Sequence, residues 1–497
     1  MIPDGYKPFI SDDHFKQETY KKIEKIHAKK EASILASISA AFDIIPIKDG
    51  MTLSFHHHYR NGDLLLNMVV EEIKKRNLKN MKLAPSSIFP VHKPLVDLIK
   101  NEQVTAIYTN YISGDVAESI SKGHLKDLLI MDTHGGRARA IETGELTIDV
   151  AFIAASAADQ KGNANGIDGP NPCGPLGYIY PDLYYAKHKI VVTDTILDKL
   201  SSNDIESAYV DYMIKVNQIG LSTGIESGTT QMTKDPVQLK IAKDTVKLIK
   251  TLNLIKDGLS FQTGAGSTSI AVSHFLKEEM IAQKVQGSFA SGGITKSLVD
   301  MFDHHLFKDL YDVQSFDLDA VKSYKNNKNH HLMDASKYAN PFYKNNIASQ
   351  LDIVVLGATE IDLNFNVNVT TSSTHKLMGG SGGHSDTAYE SKLTIITTNL
   401  VKSRIPFIKE HIETVSTPGT SVDVVVTERG IAINPLRTDL IELLKDSTLN
   451  ILPIKSLYQK AVTMTSIPKQ IEHEDRIVGL IRYRDGSIID VIYEVKS

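Results

Sequence analysis

LDIVVLGATEIDLNFNVNV (residues 351–369) followed by TTSSTHKLMGGSGGHSD (residues 370–386) decides the fold class. Leu351 to Leu356 is a short, nearly continuous β-branched run, the pattern of a strand covered on both faces by helices in a parallel sheet. In open α/β sheets the ligand crevice lies beyond the carboxyl ends of the strands, where Glu360 and Asp362 are expected to emerge. Gly379, Gly380, Gly382 and Gly383 follow. Lacking a Cβ, they can bring backbone N–H groups close to a carbonyl oxygen or a phosphate.

This stretch has an echo. IDVAFIAASAADQKGNAN (148–165) lies over LDIVVLGATEIDLNFNVN (351–368) without a gap, matching Asp149 with Asp352, Asp159 with Asp362, Asn163 with Asn366 and Asn165 with Asn368. DGMTLSF from Asp49 echoes DGLSF from Asp257, KIVVTDT from Lys189 echoes KLTIITT from Lys392, and VDYMIKV from Val210 echoes VDVVVTE from Val422. Buried strands share composition, so two unrelated α/β domains could give one such match. Blocks that keep their order point to two halves of one design.

The expected architecture is therefore α/β, with two related domains of mainly parallel sheet flanked by helices. Its parts are a helical N-terminal arm (1–48, helical over 14–41), a first domain (49–228), a connecting helix (229–256), a second domain (257–455) and a C-terminal segment (456–497). Asp235 as N-cap and Pro236 in the first turn mark the connecting helix. Asp485-Gly486 between β-rich runs marks a terminal hairpin.

With 497 residues, 41% hydrophobic and 23% charged, the composition is that of a soluble globular protein. No charge-free apolar run approaches the roughly 18 residues of a membrane span. The start, MIPDGYKPFISDDHF, lacks the features of a secretory signal, so a cytoplasmic location is expected. Cys173 is the single cysteine, which excludes an internal disulfide and leaves no second sulfur for a metal site. A net charge of −4 argues against broad nucleic-acid binding.

Chemistry-bearing residues cluster in four further segments. LSFQTGAGS (259–267) reads as a strand to Gln262, a small-residue turn and a helix from about Ser269, whose N-terminus aims N–H groups at an anion. It completes neither a GxGxxG nor a Lys-bearing P-loop, and glycine for turn geometry alone remains open. GSFASGGITK (287–296) sets Ser291, Gly292 and Gly293 before a helix without forming a G-x-S-x-G elbow. Thr133 to Arg139 reads as a polar turn, in which Arg137 and Arg139 suit bidentate carboxylate binding or sit in a solvated loop. His56, His57 and His58 invite a metal reading, since on a strand His56 and His58 would share a face, but no carboxylate or third ligand lies nearby in sequence. Hydrogen bonding to an anionic substrate together with Arg60 is the simpler role. His304-His305 and His330-His331 read as surface residues.

Taken together, SFHHHYRNGD, THGGRARAIETGELTIDVAFIAA, FQTGAGS, GSFASGGITK, LGATEIDLNFNVN, GGSGGHSD and STPGTSVDVVVTERGIAINP resemble the α subunit of citrate lyase, a member of the acyl-CoA transferase superfamily. The resemblance runs from about Lys48 onward. It implies a CoA-transferase-type fold and an exchange reaction: acetyl-S-carrier plus citrate gives citryl-S-carrier plus acetate. It implies as partners a lyase (β) subunit and an acyl-carrier (γ) subunit bearing a phosphoribosyl dephospho-CoA-like arm, with acetyl-CoA as a further donor, and a homo-oligomeric assembly. No cofactor is bound by the chain itself; the CoA-like thiol is a co-substrate. Citramalate lyase α subunits, stand-alone short-chain acyl-CoA transferases or thioesterases, and sugar-phosphate isomerases or effector-binding modules on this type of fold are the neighbouring readings.

The wider relatives place a glutamate nucleophile in a segment that GSFASGG resembles. Here Ser291 holds that position, and no Glu occurs from Val285 to Phe302. The relatives' oxyanion amides fall at Ala265-Gly266 and Gly380 to Gly383. The resulting candidates are Ala265, Gly266, Gly382 and Gly383 as oxyanion donors and Glu360 to position the acyl donor. Gly264, Ser291, Gly292, Gly293 and Gly380 would line the CoA or carrier arm, and His56, His57, His58, Arg60, Arg137 and Arg139 would bind citrate. No metal is expected.

Overall fold

A computed structural model describes residues 2–10, 21–28, 31–226, 231–465 and 472–496. Two sheets dominate it. The first has ten strands, in spatial order Ser33–Leu35, Tyr212–Lys215, His188–Thr193, Val150–Ala154, Thr52–Phe55, Met81–Pro85, Val104–Thr109, Leu129–Met131, His473–Arg482 and Ile488–Val495. The second has eight: His330–Leu332, Phe307–Ser315, Gly287–Ile294, Ser260–Thr263, Ile353–Gly357, Leu393–Thr397, Val424–Thr427 and Gly430–Ile433. Pairing is parallel except where Ile488–Val495 and Gly430–Ile433 turn back on their neighbours.

Centred on Thr52–Phe55 and on Ser260–Thr263, the two sheets run through the same seven-strand order. The sequence echoes perform the same local work in each. Asp149 and Asp352 accept from the N–H groups that open the central strands, Thr52 at 2.8 Å and Ser260 at 2.9 Å. Asp211 and Asp423 accept likewise from Lys189 at 2.8 Å and Thr394 at 2.7 Å. Asp159 holds Asn163 and Asp362 holds Asn366, each through backbone and side-chain amides. Asp362 is thus a turn brace.

Several local expectations change. Within the arm, residues 11–20 lie outside the described residues and 21–28 carry no helix; Ser33–Leu35 adds a strand beside Tyr212–Lys215, and only Ile38–Ile44 is helical. Tertiary pairing overrides helix propensity there. The terminal hairpin is an integral edge of the first sheet, with Gly479 to Ile481 parallel to Leu129 to Met131. Thr133 to Arg139 is no loop: Thr133 caps helix His134–Glu142 by accepting from Gly136 N–H at 2.8 Å, and every residue from Gly135 to Glu142 is buried. Ser291 to Gly293 lie within strand Gly287–Ile294. His330 is buried between Asp312, 3.2 Å away, and Ser323, 3.0 Å away.

The carboxyl edge of the second sheet faces helix His134–Glu142 and the segment after Thr52–Phe55. Asp386 bolts the halves together, accepting from Thr133 Oγ1 and Gly135 N–H, each at 2.9 Å. Arg484, from the hairpin turn, reaches the same carboxylate at 3.1 Å and Glu390 at 2.6 Å. No helix among the described residues is long and apolar enough to cross a membrane.

Candidate active site

The chain leaves strand Thr52–Phe55 as His56-His57-His58, all buried. His56 Nε2 lies 2.8 Å from Asp182 Oδ2, and Arg137 pairs with the same oxygen at 3.0 Å while donating to Ser54 Oγ at 2.7 Å and Ala84 O at 3.0 Å. Burial raises the Asp182 carboxyl, but Arg137 and His56 outweigh it and hold it at about 2. His56 and Arg137 are therefore committed to an internal carboxylate and brace the site from behind. Arg139 turns away to Arg484 O at 3.1 Å and Glu145 at 2.6 Å, anchoring the hairpin.

The other three citrate candidates stay together, and the fold adds partners to them. The His57 ring stacks on Tyr178 at 4.6 Å, and Tyr178 lies 4.5 Å from His134. His57 Nδ1 is 2.5 Å from Ser86 Oγ, and Gln314 Nε2 donates to His57 O at 2.8 Å. Arg60 lies over Phe316 at 4.3 Å and Phe89 at 5.6 Å. Both ring nitrogens of His58, one terminal nitrogen of Arg60, His134 Nδ1, Asn110 Oδ1 and Gln314 Oε1 are buried without a hydrogen-bond partner among the described residues. Each such atom costs about 1–3 kcal/mol, so a cluster of them marks a place for a polar ligand.

Burial holds His57 and His58 well below the ordinary histidine value. Burial and then Arg137 push His134 to about 3, and burial lowers Arg60 to about 10. At neutral pH the pocket thus offers neutral imidazoles, each with one N–H, around one guanidinium that has no carboxylate partner among the described residues.

The glycine loop 379–383 is strapped across the interface. Ile112 N–H donates to Gly379 O at 3.2 Å, Gly382 N–H to Asn110 O at 3.2 Å and His134 N–H to Gly382 O at 2.9 Å. A Cβ on Gly380 would run into Asn110 O. Gly382 has φ +51°, and a Cβ there would lie 3.1 Å from His134 Nε2. Its amide is spent on Asn110, so the expected oxyanion donor at Gly382 instead positions the loop. Gly383 N–H, opening helix His384–Glu390, has no acceptor among the described residues. Across the same sheet edge Gly264 N–H donates to Val355 O at 3.1 Å, and the N–H groups of Ala265 and Gly266 at the start of helix Ser267–Gln283 have no acceptor among the described residues.

Glu360 is buried, paired with Lys409, and accepts from Asn368 Nδ2 at 3.1 Å, so it is held by its own surroundings. Ser291 is fully buried and donates to Gln262 Oε1 at 3.1 Å, which takes it out of play as a nucleophile. Gly293 makes room for the Phe316 ring on which Arg60 rests. His134, Tyr178, Asn110, Gln262, Gln314 and Tyr338 escaped the sequence reading. His134, inside the quoted THGGRAR, and Gln262, inside the quoted FQTGAGS, lay in segments that carried a signal.

A family model described as "Citrate lyase, alpha subunit (CitF)" matches residues 31–495. The chain belongs to the citrate lyase alpha-subunit family. It is 42% identical to the citrate lyase alpha chain of Escherichia coli (strain K12) over 482 residues, 97% of this chain and 94% of that one. It is 42% identical to the Klebsiella pneumoniae alpha chain over 470 residues, 94% of this chain and 92% of that one. A Streptococcus mutans protein described as the alpha subunit of citrate lyase, crystallised in complex with citrate, shares 44% identity at a TM-score of 0.93, covering 97% of this chain and 95% of that one. The fold extends further: a Pseudomonas malonate decarboxylase hetero-tetramer contains a chain matched at TM-score 0.66 and 15% identity, covering 87% of this chain and 86% of that one. The architecture is the CoA-transferase-like α/β fold, and family membership gives the chain the role of a citrate lyase subunit.

Proposed function

We propose that the chain is the transferase of a citrate lyase complex, exchanging acetyl for citryl on a carrier thiol: acetyl-S-carrier plus citrate gives citryl-S-carrier plus acetate. The carrying observation is that buried nitrogens of His58, Arg60 and His134 have no hydrogen-bond partner among the described residues, and that the amides of Gly383, Ala265 and Gly266 have no acceptor among them. The first set suits a polycarboxylate and the second suits the oxyanion of a thioester undergoing attack. The citrate-bound Streptococcus mutans relative supports citrate as the acceptor.

In this reading Arg60 supplies the fixed positive charge and the neutral imidazoles of His58 and His134 donate to carboxylate oxygens. Citrate is thereby set with one carboxylate against the acetyl thioester. A carboxylate oxygen attacks the acetyl carbonyl carbon, its π pair moves to the oxygen under the amides, and collapse expels the thiolate. The product is a citric-acetic anhydride. The thiolate then attacks the citryl carbonyl, and acetate leaves with the bridging oxygen. No net proton moves.

A covalent enzyme intermediate is not needed, and the surroundings favour its absence. Ser291 would form an ester from which a thioester is uphill, and Glu360 and Asp386 are engaged in ion pairs. The lyase and carrier subunits act after and between transfers, with CoA able to replace the carrier thiol and with the chain itself assembling as a homo-oligomer. The test is incubation of the full chain with acetyl-CoA and citrate, followed by mass spectrometry of the thioesters. Citryl-CoA formed with equimolar acetate is expected. Acetate and free CoA without citryl thioester would mean a thioesterase, and faster exchange with citramalate would reassign the acceptor.

A further inference from the structure

At the register pair of adjacent parallel strands, Gln262 lies beside Ser291, so their side chains share one face of the second sheet. Ser291 donates its hydroxyl proton to Gln262 Oε1 at 3.1 Å. That fixes the carboxamide with its nitrogen pointing the other way, and Gln262 Nε2 donates to Tyr338 Oη at 2.8 Å. Gly292 permits this arrangement. Its φ is +107°, and a Cβ there would lie 2.8 Å from Gln262 Cδ. All three side chains in the line are buried.

The line has a direction and an open end. Tyr338 Oη receives a hydrogen bond from the amide, so its own proton is free, and no described group accepts it. The hydroxyl sits against the amide loop, since a Cβ on Gly383 would come within 2.5 Å of Oη. Gly383, whose N–H has no acceptor among the described residues, and the Tyr338 hydroxyl are therefore neighbours, and Tyr338 packs in the same cluster as Tyr178. Burial raises the Tyr338 phenol well above its ordinary value, which keeps it a donor throughout the working pH range.

We propose that Tyr338 is a catalytic residue, its hydroxyl donating together with Gly383 N–H to the oxyanion formed when a carboxylate attacks the thioester, and that Gln262 and Ser291 are positioning residues that aim it. The inference rests on the transferase reading. The hydroxyl keeps its proton throughout: the carbonyl π pair moves onto oxygen beneath the two donors, then returns as the carbon–sulfur bond breaks. Ser291, at the position where the resemblance would put a nucleophile, becomes the first link of a hydrogen-bond line.

The test uses the full chain, assayed with acetyl-CoA and citrate and again within the complex with its acetylated carrier. Tyr338→Phe keeps the ring and removes one donor. Turnover should fall about 10²–10³-fold while both KM values and the melting temperature stay near wild type. Gln262→Glu replaces the amide donor with an acceptor that captures the Tyr338 proton. It should cause a comparable fall, and that fall should vanish in the Tyr338→Phe background. Turnover of Tyr338→Phe within about twofold of wild type, or a double variant whose losses multiply, overturns the inference. If Tyr338→Phe does not fold, Gln262→Glu decides alone, and undiminished turnover there overturns it. A wild-type chain that makes no citryl thioester brings down the transferase reading and this inference with it. Wild-type exchange beside full Tyr338→Phe turnover brings down the inference alone.

Discussion

Arg60 carries a cost that only a ligand can remove. Its guanidinium is buried over Phe316 and Phe89; among the described residues one terminal nitrogen has no partner and no carboxylate pairs with it, and burial takes it down from its ordinary value to about 10. At about 1.4 kcal/mol per pKa unit, the charged form is destabilised by about 3 kcal/mol in the free protein. Arg60→Met keeps much of the volume over Phe316 and removes the charge. The free protein should therefore gain stability, by up to about 3 kcal/mol, and melt higher. Citrate binding should weaken by about 2–5 kcal/mol, the typical loss when one partner of a buried charge pair is removed, raising citrate KM about 30-fold or more. KM for the acetyl donor should barely move. Thermal melting with and without citrate, together with initial rates over a citrate series, reads both effects. A variant that melts lower without ligand, or whose citrate KM stays within about twofold of wild type, refutes the assignment of Arg60 as the unpaired cation of the site.

Gly382→Ala forces a side chain into a left-handed backbone with its Cβ 3.1 Å from His134 Nε2; we expect about 1–2 kcal/mol of destabilisation and a raised citrate KM, and unchanged melting would show that the strap is dispensable. His57, His58 and His134 have folded pKa values below their unfolded value, so the unfolded chain binds more protons below about pH 6.5. Their contribution to stability is full above that pH and is lost as pH falls towards their folded values. Melting curves of the free protein should drop as pH is lowered from 6.5 to 5, citrate should reverse much of the drop, and a pH-independent melting temperature over that range would contradict the buried neutral cluster. Arg484→Ala leaves Asp386 without its cation and should cost about 3–5 kcal/mol, read as a lower melting temperature and faster proteolysis near the terminal hairpin. Wild-type resistance would assign the bolt to the other Asp386 contacts.

The alternation of strands and helices and the internal duplication were legible because both depend on local pattern: β-branched runs, and Asp and Asn placed to cap neighbouring backbone in each half. Positions of the amide loops were legible for the same reason. Which amides are free was not, because Gly382 N–H is taken by Asn110 O from the opposite half. Arg137 and Arg139 carried the right chemistry for a carboxylate, yet the carboxylates they pair with, Asp182 and Glu145, belong to the chain itself. Thr133 to Arg139 looked like a loop because Gly-Gly lowers helix propensity. Only contact with Ala339 explains why glycine is needed at Gly135. Tyr178, Gln314 and Tyr338 had no sequence signal, since nothing local separates a site aromatic or amide from a packed one.

The direct route makes a claim about a single oxygen atom. If a citrate carboxylate attacks the acetyl thioester itself, the bridging oxygen of the anhydride comes from citrate and leaves on acetate. A rapid-quench single turnover with citrate labelled by 18O in its carboxylates, enzyme in excess over acetyl-CoA, should release acetate carrying one 18O and leave the protein unlabelled. Unlabelled acetate in that first turnover, with 18O appearing in an enzyme carboxylate, would contradict the account, because the oxygen would then have come from an acyl-enzyme anhydride.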